Sequence, residues 1–354
     1  MILRSDASYS LKKLYESYGY SQYKMSRFEE YELYLRNKSF LVSDHIIAFT
    51  DTDGKLMALK PDVTLSIVKG CDECQTGLRR VYYDENVYRV PRGAMSFKEI
   101  RQAGLECIGE LDEYAISEVL TLAVKSLESI SHDCVLDVSD MGIVASLTER
   151  ISPTVAFKAR LLSLVAEKNI HELKVLCAAE GRDPDAAEKL IKLISLRGGC
   201  DEMLEILRGD VCFAEASAMA RIVSAVSARS DCVKVDFSVT DDMKYYNGIV
   251  FKGFIKGIPS SVLSGGRYDN LMKKMGKQSG AIGFAVYLDL IGDLDTVADE
   301  YDVDTVLIYD DSLPIDSIMA LADSLRSDGS SVRAVRELPS GIKYRRIVDK
   351  REGR

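Results

Sequence analysis

Residues Arg80 to Glu110 read RVYYDENVYRVPRGAMSFKEIRQAGLECIGE, and this stretch decides the fold. Val81, Tyr83, Val87 and Tyr88 favour extended backbone, so the first half predicts a strand. Pro91, Arg92, Gly93 and Ala94 interrupt it. Phe97, Ile100, Ala103, Leu105 and Cys107 then resume an extended, partly alternating apolar pattern. The result is two long strands around a loop. Successive side chains on a strand point to opposite faces, so Gln102, Gly104 and Glu106 share one face. A Gln, a gap at Gly and a carboxylate on one face suit the floor of a small polar-ligand site. They equally suit the solvated face of an antiparallel sheet, and these residues alone leave both readings open.

Around this hairpin the chain mixes both secondary-structure periods. Residues 8–19 read as a short helix with Leu11, Leu14, Tyr15 and Tyr18 as its apolar stripe. An extended segment, YSQYKMSRFEEYELY, follows. Residues 46–60 predict a hairpin around Thr52-Asp53-Gly54, a strong turn signal. Lys60-Pro61-Asp62 leads into a helix at VTLSIVKG, and residues 112–130 are a well-periodic amphipathic helix. From about Leu147 to Ser230 helical periodicity dominates, which predicts a helical insertion. Strands return at 233–240 and 249–256, Gly265-Gly266 separates a strand from a helix, and 281–291 is a strand or a helix start. After 302 a single β-α-β unit precedes a basic tail, IKYRRIVDKREGR. The expected domains are a core over 1–146 and 231–298, a helical insertion over 147–230, and a partial α/β unit over 299–354.

Length and composition are those of a globular chain. The 354 residues allow two or three domains, and the net charge of −9 argues against a surface built mainly for nucleic acid. The N-terminal run MILRSDASYSLKKLY has no apolar core of a signal peptide, and no segment has the length of a membrane-spanning helix, so cytoplasmic residence is expected. Among eight cysteines only Cys71 and Cys74 lie close, and no second Cys or His pair completes a zinc site. His45, His132 and His171 are scattered. Neither a metal nor a cofactor is expected, and the cysteines read as reduced structural thiols.

Four segments place polar groups in apolar surroundings: Lys60–Thr64, Gln102–Glu106, Met243–Asn247 and Ser264–Asp269. Asp62 suits either a first-turn acid, which the helix dipole favours, or a partner with Glu106 for a ligand ammonium. Tyr245 and Tyr246 offer hydroxyls and flat ring faces. SGGRYD is glycine-rich but lacks the spacing of a phosphate-binding loop. In order and wording these segments resemble the catalytic core of histidyl-tRNA synthetase, a class II synthetase. KPDVT resembles its RPExT segment. VYYDENVYRV and KEIRQAGLECIG resemble its motif 2, and MKYYNGIVFKGF its histidine-specific segment. SGGRYDNLMKKMGKQSGAIGFAVYLDL resembles its glycine-rich strand and motif 3. The likeness covers about residues 5–295 and implies an α+β fold: a class II synthetase-like antiparallel sheet flanked by helices, with a helical insertion and a truncated C-terminal α/β unit.

The departures bear on function. The resemblance places a motif 2 arginine at Arg89, but a second at Ser96, the arginine of the histidine-specific run at Asp241, and the motif 3 arginine at Leu290. Tyr287 stands where the family has glycine. Arginines grip phosphate oxygens in two places, so losing three leaves little capacity to make an adenylate. The amino-acid side is better kept. The resemblance assigns histidine contacts to Asp62, Thr64, Gln102, Glu106, Tyr245 and Tyr246, with Arg89 or Arg101 left for the ligand carboxylate. A synthetase-like core without activation machinery resembles the regulatory subunits of ATP phosphoribosyltransferase. That implies a non-catalytic chain that dimerises, joins a short-form catalytic subunit in a hetero-octamer, binds histidine, and carries feedback inhibition without a tRNA or membrane partner. The alternatives are a divergent histidyl-tRNA synthetase and a stand-alone amino-acid-binding paralogue.

Overall fold

The computed structural model describes residues 4–41, 45–71, 77–91, 95–152, 154–196, 199–240, 245–291, 301–327 and 329–351. The chain forms two compact units, Met1–Asp293 and Leu294–Arg354. The first opens with α1 (Arg4–Ser17), β1 (Ser21–Gln22), β2 (Phe28–Glu30), α2 (Tyr31–Arg36), β3 (Ala48–Thr50), β4 (Leu56–Leu59) and α3 (Val63–Gly70). Then come β5 (Leu78–Arg89), β6 (Lys98–Gly109), α4 (Glu113–Glu128) and β7 (Cys134–Asp140). The helical block is α5 (Met141–Ile151), α6 (Val155–Ala166), α7 (Ile170–Glu180), α8 (Pro184–Ser195), α9 (Cys200–Ile206) and α10 (Phe213–Ser227). The unit closes with β8 (Val233–Val235), β9 (Ile249–Ile255), β10 (Leu263–Arg267), α11 (Asp269–Lys274), β11 (Gly280–Tyr287) and α12 (Leu288–Ile291).

Among the described residues one sheet has the order β1-β5-β6-β11-β10-β9-β7-β8. Its interior pairings are antiparallel, and only the edge strands β1 and β8 run parallel to their neighbours. The β5–β6 hairpin is its longest pairing, running from Leu78 opposite Gly109 to Arg89 opposite Lys98. β6 is buried from Gln102 to Gly109, so the return strand is a central strand and not a solvated face. Helix α4 covers the sheet against β7, β9 and β11 with Ile116, Val119, Leu120, Ala123 and Leu127. Each of the isoleucine, valine and leucine side chains among them contributes about 1.5–3 kcal/mol when fully buried. The Asp112 carboxylate starts α4 by accepting from the Ala115 N–H at 2.7 Å, satisfying a donor the helix cannot. The helical block docks on this layer through α10, which packs on α4.

The second unit holds β12 (Val303–Ile308), α13 (Ile315–Arg326), β13 (Val332–Val335) and β14 (Tyr344–Asp349) in a parallel sheet of order β13-β12-β14. It therefore exceeds a lone β-α-β unit. The stretch expected as a basic tail supplies β14, whose arginines lie exposed on an edge strand. Two other expectations change. Part of the extended segment before residue 36 coils into α2, and the strand expected over 233–240 is limited to β8. α5 starts at Met141, ahead of the insertion boundary expected at 147. The core boundary expected at 298 lies outside the described residues, as do Cys74, Arg92, Gly93, Ala94 and Asp241.

Candidate functional site

A cavity of about 810 Å³ opens over the faces of β6 and β11 and is bounded by the start of α3, by Tyr245 and Tyr246, and by α6. Asp62, Thr64, Arg89, Gln102, Glu106, Tyr245 and Tyr246 all line it. Arg101 does not, and strand alternation is the reason. Gln102 and Glu106 point into the cavity, so Arg101 points to the other face of β6. There its Nε and Nη2 donate to the Asp84 carboxylate at 2.8 and 2.7 Å. Arg101 is thus corrected from a ligand contact to an ion-pair partner, leaving Arg89 as the motif 2 arginine at the cavity.

Glu106 is the centre of the floor. Only 2% of it is exposed, and each oxygen accepts one hydroxyl: Thr64 Oγ1 donates to Oε1 at 2.7 Å, and Tyr268 donates to Oε2 at 2.6 Å. Burial raises its pKa to about 8, outweighing those two hydrogen bonds, and nearby Asp62 pushes the same way. The carboxyl lies across the neighbouring strand, where Gly283 is its register partner. A Cβ at Gly283 would sit 1.8 Å from Glu106 Oε2, so only glycine leaves the carboxyl room.

Asp62 is the N-cap of α3, its Oδ1 accepting from the Leu65 N–H at 2.8 Å. Burial raises its pKa, while the Leu65 N–H and the charge of Arg89 oppose the shift. Asp62 therefore caps a helix and also lines the cavity. Among the described residues no lysine or arginine is hydrogen-bonded to Asp62 or Glu106, and two such acids side by side form a locus for a ligand cation.

The aromatic wall is built by chain geometry. The Asn247 N–H donates to the Arg267 carbonyl at 2.9 Å, which fixes the segment carrying Tyr245 and Tyr246 beside β10. Gly266 has no Cβ, and the Tyr246 ring takes that space; an added Cβ would lie 2.7 Å from its Cδ1. The Tyr245 and Tyr246 rings meet edge-on at 4.8 Å, and Tyr245 also packs on Tyr268 at 5.7 Å. Burial holds the phenols of Tyr83, Tyr245 and Tyr268 well above their usual pKa, so they stay O–H donors.

The structure adds residues that sequence reasoning did not assign. Tyr268 belongs to SGGRYD, whose glycines are its evident feature in sequence, and it donates to Glu106. The gap at Gly104 is filled by the Tyr83 hydroxyl, 2.6 Å from where a Cβ would be, and not by open ligand space. Lys158 of α6 was hidden in a helical run with no motif. Lys60 is wholly buried and pairs with Glu85 at 2.8 Å, away from the cavity lining. Among the positions where the family has other residues, Tyr287 lines the cavity opposite Gln102, Ser96 is exposed, and Leu290 lies on α12. Among the described residues, no cluster of His, Cys, Asp or Glu is placed to hold a metal ion, and no helix is long and apolar enough to cross a membrane.

Comparison with known proteins gives this geometry a context. Residues 3–291 match the family model described as histidyl-tRNA synthetase. A histidine–tRNA ligase from Methanocaldococcus jannaschii is 27% identical over 352 residues, covering 96% of this chain and 83% of the ligase. An ATP phosphoribosyltransferase regulatory subunit from Caldanaerobacter subterraneus is 28% identical over 291 residues, covering 79% of this chain and 75% of that subunit. Among solved structures, an ATP phosphoribosyltransferase regulatory subunit/histidyl-tRNA synthetase from Bacillus halodurans superposes with a TM-score of 0.78 at 22% identity. That superposition covers 99% of this chain and 94% of the other, and carries the fold.

Proposed function

The chain belongs to the histidyl-tRNA synthetase family, and from that premise we propose that it is a regulatory subunit of ATP phosphoribosyltransferase, in the first step of histidine biosynthesis. It makes no adenylate. It binds histidine in the cavity, activates a short-form catalytic subunit, and carries the feedback signal. Asp62 and Glu106 take the amino group with Thr64. Gln102, Tyr245 and Tyr246 surround the imidazole, and Arg89 offsets the charge of Asp62. Linkage requires that histidine bind one state of the assembled complex more tightly than the other. The chain pairs with itself in a cytoplasmic hetero-octamer, and residues 147–230 form an insertion in a synthetase-like core.

The supporting observation is the imbalance of the cavity lining. Asp62, Thr64, Gln102, Glu106, Tyr245 and Tyr246 all line it, while Arg89 is the one arginine lining it among the described residues. A triphosphate needs several such contacts. Reconstitution tests the reading. Phosphoribosyl transfer by a short-form catalytic subunit should appear on adding this chain and fall on adding histidine. A catalytic subunit that neither binds the chain nor gains activity from it overturns the proposal. The 27% identity to a histidine–tRNA ligase across 96% of this chain favours a second reading, a divergent synthetase. Histidine-dependent exchange of pyrophosphate into ATP by the purified chain would establish that reading in place of the first.

A further inference from the structure

The wall of the cavity facing the strands comes from the helical block. Val155, Lys158, Ala159, Leu162, Ser163 and Ala166 of α6 line it, at spacings that place them on one helix face. The opposite face, Phe157, Leu161 and Val165, is buried and anchors α6 to its own block. The cavity of about 810 Å³ is shared: the acidic floor and the α6 face line the same volume, which is in the range that encloses a small-molecule ligand.

The cavity's cations differ in their freedom to meet a ligand. Arg89 is 8% exposed and already faces the Asp62 carboxylate, whose charge it stabilises. Lys38 is exposed on the turn at 38–40. Lys158 is partly buried, and its carboxylate partner, Glu149 of α5, is itself 61% exposed. A pair so open to water holds its partners weakly, so Lys158 can exchange Glu149 for a ligand anion at little cost.

We infer that α6 is the roof of the amino-acid site and that Lys158 receives the carboxylate of the bound amino acid. The inference rests on the histidine-binding reading above and extends it. The floor recognises the ammonium, the roof recognises the carboxylate, and occupancy is thereby communicated to the helical block. A zwitterion bridges the two walls, whereas an amine without a carboxylate engages only the floor.

The test is calorimetric titration of the full-length chain with histidine and with histidinol, in which a hydroxymethyl group replaces the carboxylate. Lys158→Ala should weaken histidine about tenfold or more, the loss expected for a charge-assisted hydrogen bond, and leave histidinol within twofold. Lys158→Arg should retain most of the histidine affinity. Equal losses for both ligands, or no loss for histidine, overturn the inference while the pocket reading stands. A wild-type chain that binds histidine at no attainable concentration overturns the pocket reading itself, and this inference with it.

Discussion

Glu106 and Asp210 are both buried carboxylates, and they have opposite surroundings. Asp210 sits in the helical block, where Arg150 Nη1 and Lys189 Nζ each donate to its Oδ2 at 2.8 Å and Cys212 donates to Oδ1. Burial alone would raise its pKa, but the lysine and arginine outweigh it and hold the carboxyl well below the usual range. Among the described residues Glu106 receives only the neutral hydroxyls of Thr64 and Tyr268, and its pKa rises to about 8. An acid that comes with its own cations is scaffold. An acid enclosed without one has a place open for a ligand's charge.

The strongest way to sharpen this contrast is to remove each acid. Asp210→Ala removes the most buried acid of a cluster in which Arg150 keeps Asp183 and Asp185 and Lys189 keeps Asp185, so unfolding stability should fall by about 1–3 kcal/mol by denaturant titration. Histidine affinity of the folded chain should not change. Because the folded pKa of Asp210 is depressed, its contribution is present above the unfolded value and lost as pH falls through the folded one. Glu106→Gln should do the reverse. Histidine binding should weaken by about 2 kcal/mol by calorimetry, with little loss of stability in the free protein.

Proton linkage separates the two acids further. The folded pKa of Glu106 is raised, so its contribution to stability is complete below its unfolded value of about 4.3 and declines as pH rises toward about 8. Unfolding of the wild type should therefore show a loss over that window, up to about 1.4 kcal/mol per pH unit, that Glu106→Gln lacks. An identical pH profile for the two proteins would break the contrast. Gly283→Ala attacks the same carboxyl from the next strand. The added methyl would meet Glu106 Oε2 at 1.8 Å and the Leu105 carbonyl at 2.4 Å. Overpacking of this kind costs about 1–3 kcal/mol, and histidine affinity should fall because the carboxyl is displaced. Unchanged affinity would mean that the carboxyl's position does not matter to binding.

What could be read in the sequence follows the same division. The β5–β6 hairpin, the Asp-Gly turn and α4 each announced themselves through local periodicity or turn chemistry, and the shared face of Gln102 and Glu106 followed from strand alternation. Two-residue β1, the helix at YELYLR and the exposed edge strand β14 lack such patterns, because tertiary pairing and not local preference forms them. At the cavity, the family resemblance named Asp62, Thr64, Tyr245 and Tyr246, which share its lining. It gave no register, so it could not reveal that Tyr268 reaches Glu106 from across the sheet or that Tyr83 fills the space over Gly104. Lys158 belongs to a helix whose orientation only the packing of Phe157, Leu161 and Val165 determines.

The mildest test concerns the two faces of β6 itself. Arg101 and Gln102 are neighbours in sequence, yet one pairs with Asp84 and the other lines the cavity. The Arg101–Asp84 pair is bidentate but open to water, with 38% and 24% of the two side chains exposed, so its net contribution is about 0.5–1 kcal/mol. Arg101→Ala should therefore lower stability by no more than that and leave histidine affinity within experimental error. Gln102→Ala, one residue along, should weaken binding while scarcely affecting the Asp84 side. A drop in histidine affinity on removing Arg101 would mean that the ligand is read from the face opposite Glu106. Strand alternation would then not separate scaffold from site on β6.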